Sequence, residues 1–135
     1  MIFVDPSAFL AIENRLDAHR SRALSLRNAW LKKGQNLVTS DYVLDESYTI
    51  IRLRAGHPVV VQFGETIWNS QLLRTIYVTP EIIEDAWRLF KAYADHDFSF
   101  TDCITFSLME RLSIPAAFTF NSHFKEYGRF QVNLQ

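Results

Sequence analysis

The chain alternates short apolar runs with longer segments in which apolar residues recur every three or four positions. The runs IFV (2–4), NLVTS (36–40), LLRTIYV (72–78), AAFTF (116–120) and RFQVN (129–133) are short and rich in β-branched and aromatic residues, so they read as strands. Between them the period is helical. Pro6 opens a helix through SAFLAIENR, and in DAHRSRALSLRNAWLKK the residues Ala23, Leu26, Trp30 and Leu31 make one stripe that stops at Gly34. Ser40 or Asp41 caps DYVLDESYTIIRLRA, which Gly56 ends, and Thr79 with Pro80 opens PEIIEDAWRLFKAYAD. TDCITFSLMERLS forms a further helix, and NSHFKEYG a short turn or helix. The segment HPVVVQFGETIWNS carries two signals. Val59 to Val61 favour a strand, whereas Pro58 and the spacing of Val61, Gly64, Ile67 and Trp68 favour a helix, and we assign it to a helix.

Strands that alternate with helices imply parallel pairing through right-handed crossovers, with helices on both faces of the sheet. The expected fold class is therefore α/β with three layers, and residues 1–135 are expected to form one domain, with no internal repeat or linker. Ligands of such sheets collect outside the carboxyl ends of the strands, so the residues at those ends are where chemistry is sought.

Composition narrows the class of function. Net charge is −1, which argues against non-specific clamping of duplex phosphates but leaves room for a local basic patch. The single cysteine, Cys103, cannot form an internal disulfide, and it reads as a small core residue because the neighbouring Asp102 disfavours a thiolate. The start MIFVDPS has no basic region ahead of an apolar run, and no apolar stretch approaches the roughly 20 residues that span a bilayer. The expectation is a cytoplasmic protein without a membrane segment.

Three acidic residues are brought to one sheet edge by this plan. Asp5 follows the first strand, Glu46 lies early in the helix after NLVTS, and Asp102 lies in the first turn of a helix that starts where AAFTF ends. Asn121 is that end. Each has a plainer reading: Asp5 as a helix cap, Glu46 beside Asp45 as part of a solvated helix face, Asp102 as an acid favoured by the helix dipole. Their convergence is what points to function. Carboxylates gathered without a Cys or His pair at ligand spacing suit a hard divalent cation such as Mg²⁺ or Mn²⁺, and phosphodiester hydrolysis is the natural chemistry.

MIFVDPSAFLA, VLDES, FSFTDCITFSLMERL and AFTFNSHF, in this order, resemble successive motifs of PIN domains, most closely the VapC-type toxin ribonucleases of toxin–antitoxin operons. The similarity runs almost end to end. It implies a five-stranded parallel sheet, a homodimer, Mg²⁺- or Mn²⁺-dependent cleavage of RNA, and a cognate antitoxin protein as partner. By position it makes Asp5, Glu46 and Asp102 the catalytic metal ligands and Ser7 the hydroxyl that helps orient the site. Asp97 is a further candidate, since relatives often have another acid in that stretch. Phe9, Leu10, Leu26 and Trp30 of the first two helices read mostly as core, and in the family this region also helps form an antitoxin groove.

One position departs from the family. Its usual ending is TFDRHF, and here Asn121 stands for the Asp and Ser122 for the Arg. An amide oxygen can ligate a cation but brings no charge, so affinity for a second metal should fall. The alternative to a nuclease is therefore a PIN-like RNA- or protein-binding module whose activity is weakened or lost. A receiver-type phosphoacceptor shares the plan, but it would need paired acids after the first strand and a late Lys, where this chain has Asp5-Pro6 and Asn121. His123 is expected to pack or hydrogen bond, and His96 to lie in a solvated turn. Arg15, Arg20, Arg22 and Arg27 with Lys32 and Lys33 form a solvated face or, where it borders the acidic rim, a steering surface for RNA.

Overall fold

The computed structural model describes residues 1–135. Strands β1 (Ile2–Val4), β2 (Leu37–Ser40), β3 (Leu73–Ile76), β4 (Ala116–Phe118) and β5 (Gln131–Val132) form one sheet in the order β3-β2-β1-β4-β5. Every pairing is parallel. The helices are α1 (Pro6–Glu13), α2 (Arg20–Lys32), α3 (Asp41–Ala55), α4 (His57–Asn69), α5 (Pro80–Ala92), α6 (Phe100–Arg111) and α7 (His123–Tyr127). Side chains along a strand alternate between the two faces, yet Ile2, Phe3 and Val4 are all buried, so helices cover both sides of the central strand. The α/β architecture and the helical assignment of 57–69 agree with the sequence pattern.

Several helix ends have a local chemical cause. Ser40 Oγ accepts Val43 N–H at 3.1 Å and so caps α3, while the Thr79 side chain caps α5. Ser99 and Asp102 form a reciprocal capping box at the start of α6. Gly34, at φ +74°, takes the left-handed turn that stops α2. Helix α6 is the central one, with every residue from Asp102 to Met109 buried.

Apart from β1, the strands are shorter than the apolar runs that announced them. β4 stops at Phe118 instead of Phe120 because Thr119 and Phe120 spend their polar groups elsewhere: Phe120 N–H donates to Ser7 Oγ at 2.8 Å, and Thr119 Oγ1 donates to Asp5 Oδ2 at 3.0 Å. β3 ends at Ile76, and beyond it Val78 N–H donates to Asp41 Oδ1 at 2.9 Å. α2 starts at Arg20 instead of Asp17, since Asp17 Oδ1 accepts His19 N–H at 2.8 Å in a turn of its own. No helix is long and apolar enough to cross a membrane.

The Ser40 cap fixes the start of the helix that carries Glu46. Replacing Ser40 with Ala leaves a buried amide without its acceptor and should cost about 0.5–2 kcal/mol, read as a lower urea midpoint with an unchanged slope.

Candidate active site

The parallel register puts the first two site residues together. Val4 pairs with Phe118, so the next residue of each chain segment, Asp5 and Thr119, emerges side by side at the carboxyl edge of β1 and β4. Asp5 N–H donates to Phe118 O at 3.0 Å, which locks the two segments at that point. The Asp5 carboxylate is buried, and its Oδ2 collects three donors: Ser7 N–H at 3.1 Å, Ser7 O–H at 2.5 Å and Thr119 O–H at 3.0 Å. Asp5 therefore is the cap of α1 that its position before Pro6 suggested, but with one oxygen only. No hydrogen bond reaches its Oδ1.

Asp102 has the same division of labour. Its Oδ2 accepts Ser99 N–H at 3.0 Å and lies 2.7 Å from His123 Nδ1. A carboxylate can only accept, so the Nδ1 proton is on the imidazole and points at Asp102. Oδ1 of Asp102 again has no hydrogen bond. His123 thus has the hydrogen-bonding role its motif position suggested, and its target is one of the candidate acids.

Glu46 sits further out. Its side chain is exposed and makes no hydrogen bond, yet it feels the same field. Partial desolvation raises its pKa above the ordinary carboxylate value, and the negative charges of Asp102 and then Asp45 raise it further. Burial likewise lifts Asp5 from an ordinary 3.8 to about 6; the Ser7 hydrogen bonds oppose this, Asp102 adds to it, and Thr119 opposes it. Asp102 is therefore the charge that both other acids share. No Lys or Arg acts on either shift, and the basic group nearest these acids is His123 against Asp102.

Asn121 and Asp97 fare differently. Asn121 N–H donates to Thr119 Oγ1 at 3.0 Å, and Asn121 Oδ1 accepts His123 N–H at 3.0 Å. The amide oxygen is occupied in a local turn, and it connects to the acids through Thr119 and His123 instead of touching them. Asp97 is exposed in the turn before α6 and lines a small cleft with Phe90, Tyr93 and His96. Its charge is not among those that shift Asp5 or Glu46. Cys103 is buried behind Asp102, and desolvation first, then the Asp102 charge, pushes its thiol up to about 11, which leaves it protonated.

Thr119 was not singled out by the sequence reading. The signal for it was present in the alignment of IFVD with AAFT as adjacent parallel strands, because the residue after AAF must then face the residue after IFV. With the side chains as placed, no three His, Cys, Asp or Glu residues stand close enough to close around a cation. The donor chemistry does fit one: Asp5 and Asp102 each hold one oxygen in a fixed orientation and leave the other unbonded, and the exposed Glu46 side chain is free to turn toward them.

Comparison with known proteins places this site in context. The family model for the PIN domain matches residues 2–130. The 23S rRNA-specific endonuclease VapC20 of Mycobacterium tuberculosis, in strains CDC 1551 / Oshkosh and ATCC 25618 / H37Rv, is 33% identical over 132 residues, covering 98% of this chain and 98% of the relative. The crystal structure of Mycobacterium tuberculosis VapC20, described as a sarcin-ricin-loop-cleaving toxin, superposes with a TM-score of 0.88 at 31% identity and covers 98% of each chain.

The raised pKa of Asp5 has a thermodynamic consequence in the absence of metal. Between its unfolded and folded values the folded chain binds more protons than the unfolded one, so stability falls as pH rises from about 4 to about 6 and stays lower above that. Asp5→Asn keeps an acceptor for Ser7 and Thr119 and removes the buried charge. In chelator it should stabilise the chain by roughly 2–3 kcal/mol at about pH 8 and by little at about pH 4, measured by urea unfolding.

Proposed function

Because the chain belongs to the PIN-domain family, we propose that it is a divalent-metal-dependent endoribonuclease acting in the cytoplasm as the toxin of a toxin–antitoxin pair. The observation that carries this reading is the half-bonded state of Asp5 and Asp102: two neighbouring carboxylates, each pinned by one oxygen, with no Lys or Arg paired to either. Asp5, Glu46 and Asp102 would hold Mg²⁺ or Mn²⁺. The chemistry such a cation supplies is a lowered pKa for water and neutralisation of the charge that builds on a phosphate.

The rest of the work falls to the chain's own groups. Ser7 and Thr119 keep the Asp5 carboxylate from rotating, and the Ser99 amide with His123 does the same for Asp102. Such supporting hydrogen bonds orient ligands and tune their basicity. Glu46 brings the third charge from an exposed side chain that no hydrogen bond holds. Asn121 holds the His123 amide through Oδ1, so its present contribution is to keep His123 in place against Asp102.

The relative's RNA target, 23S rRNA, is the first substrate to test here. For an antitoxin, the apolar cleft between α1, α2 and α4, which Phe9, Ile12, Leu31, Phe63 and Ile67 line, has the shape and chemistry to take an amphipathic segment. For a homodimer, the exposed Trp87 and Phe90 of α5 offer an aromatic face suited to a second copy.

With Mg²⁺ or Mn²⁺ the chain should cut RNA, and Asp5→Asn, Glu46→Gln and Asp102→Asn should each slow cleavage on the order of 10²–10³-fold, as should excess EDTA. Cleavage on a denaturing gel that persists in Asp5→Asn or in EDTA would overturn the assignment. Asn121→Asp retains an acceptor for His123 N–H and adds a charge, so it should lower the Mn²⁺ concentration needed for half-maximal cleavage. A variant that needs as much Mn²⁺ as the native chain would show that position 121 is structural only.

A further inference from the structure

A second feature borders the acidic edge and is absorbed by none of the roles above. The exposed imidazole of His19, at the start of α2, lies flat on the ring of Phe120, with centroids 4.5 Å apart and planes only 7° from parallel. Phe120 is itself set edge-on against buried Phe118, which is edge-on to Trp30. The stack therefore is anchored to the core at one end and open to solvent at the other. The imidazole makes no hydrogen bond, so both its face and its ring nitrogens are uncommitted.

The place of this stack is fixed by the site. Phe120 N–H donates to Ser7 Oγ at 2.8 Å, and that hydroxyl donates to Asp5 at 2.5 Å, so two hydrogen bonds separate the aromatic platform from the first candidate metal ligand. His19 and Phe120 line one cleft of about 380 Å³ together with Arg22, Asn121, Ser122 and Lys125. Neither Arg22 nor Lys125 takes part in an ion pair, unlike Arg88, Arg111 and Arg129. Two uncommitted cations beside a flat aromatic face are the ingredients of single-stranded nucleic-acid recognition, in which bases stack and phosphates are held by charge.

We propose that the His19–Phe120 stack seats one unpaired base of a single-stranded RNA segment next to the phosphate that is cut, with Arg22 and Lys125 holding the phosphates on either side of that base. The inference rests on the nuclease reading above and adds a positioning element to it. A base on the outer face of His19 fixes which phosphate lies over the carboxylates, so the stack sets the register of cleavage as well as affinity.

The test uses the full chain carrying Asp5→Asn, which leaves the RNA intact, titrated in Mg²⁺ against an end-labelled single-stranded RNA of about 12 nucleotides with anisotropy as the readout. Adding His19→Ala should weaken binding about 5- to 100-fold, and His19→Tyr should restore it. An abasic site moved along the RNA should weaken binding at one position in the parent and have no further effect there once His19→Ala is present. Arg22→Gln and Lys125→Gln should lower the salt dependence of binding, which His19→Ala leaves unchanged. Unaltered affinity in His19→Ala, or no distinguished abasic position, overturns the proposal. Its failure is separable from that of the nuclease reading: a native chain that cuts RNA while His19→Ala binds and cuts equally well sinks only the stack, whereas His19-dependent binding without any cleavage sinks the nuclease, and with it the cleavage register, and leaves the stack as a base-binding platform.

Discussion

The parallel pairing of β1 with β4 is the constraint on which the site depends. It joins the third strand residue of the chain's start to one near its end, and it does so in a register that leaves Asp5 and Thr119 adjacent at the rim. Everything at the rim is built outward from that contact. Ser7 closes the first turn of α1 over Asp5, Phe120 N–H returns to Ser7, and Asn121 hangs from Thr119. A slip of one residue between these strands would exchange the faces of every side chain on β4 and dissolve the network at once.

The second half of the site comes from a different device. Asp102 is held by the capping box of α6, so the same side chain that starts the helix keeps one oxygen unbonded. His123, on the short α7, reaches across to brace it. Helix capping and metal ligation are often treated as competing explanations for an acid in a first helical turn. Here Asp5 and Asp102 both cap with Oδ2 and keep Oδ1 unbonded, so a structural role on one oxygen leaves the other available.

Much of the fold was legible because it rests on local signals. Pro6, Ser40, Gly34, Gly56, Thr79 and Pro80 mark helix ends by backbone chemistry that needs no tertiary context, and the five apolar runs mark the strands. Strand ends were less legible, since the last residues of AAFTF leave the ladder to serve Ser7 and Asp5, groups more than a hundred positions away. For the site, topology brought Asp5 and Asp102 to one rim, and the Asp102 charge acts on both Asp5 and Glu46. Asn121 was placed at the right edge, but its engagement by His123 N–H depends on the turn geometry, which residue types alone do not specify. The His19–Phe120 stack was invisible for a related reason: its partners come from separate segments, and neither carries a motif.

The separation of the bonded partners also governs when the site can exist at all. The Thr119–Asp5 hydrogen bond closes over 114 positions, and Trp30 Nε1–H donates to Leu134 O across 104. Contacts this remote in sequence are slow to form, and during synthesis neither can form before its second partner has emerged. A nascent copy therefore carries its first candidate ligand early, without the strand that gives that ligand its orientation. Any activity of this rim therefore waits for β4 and the segment after it to be made and to dock on β1.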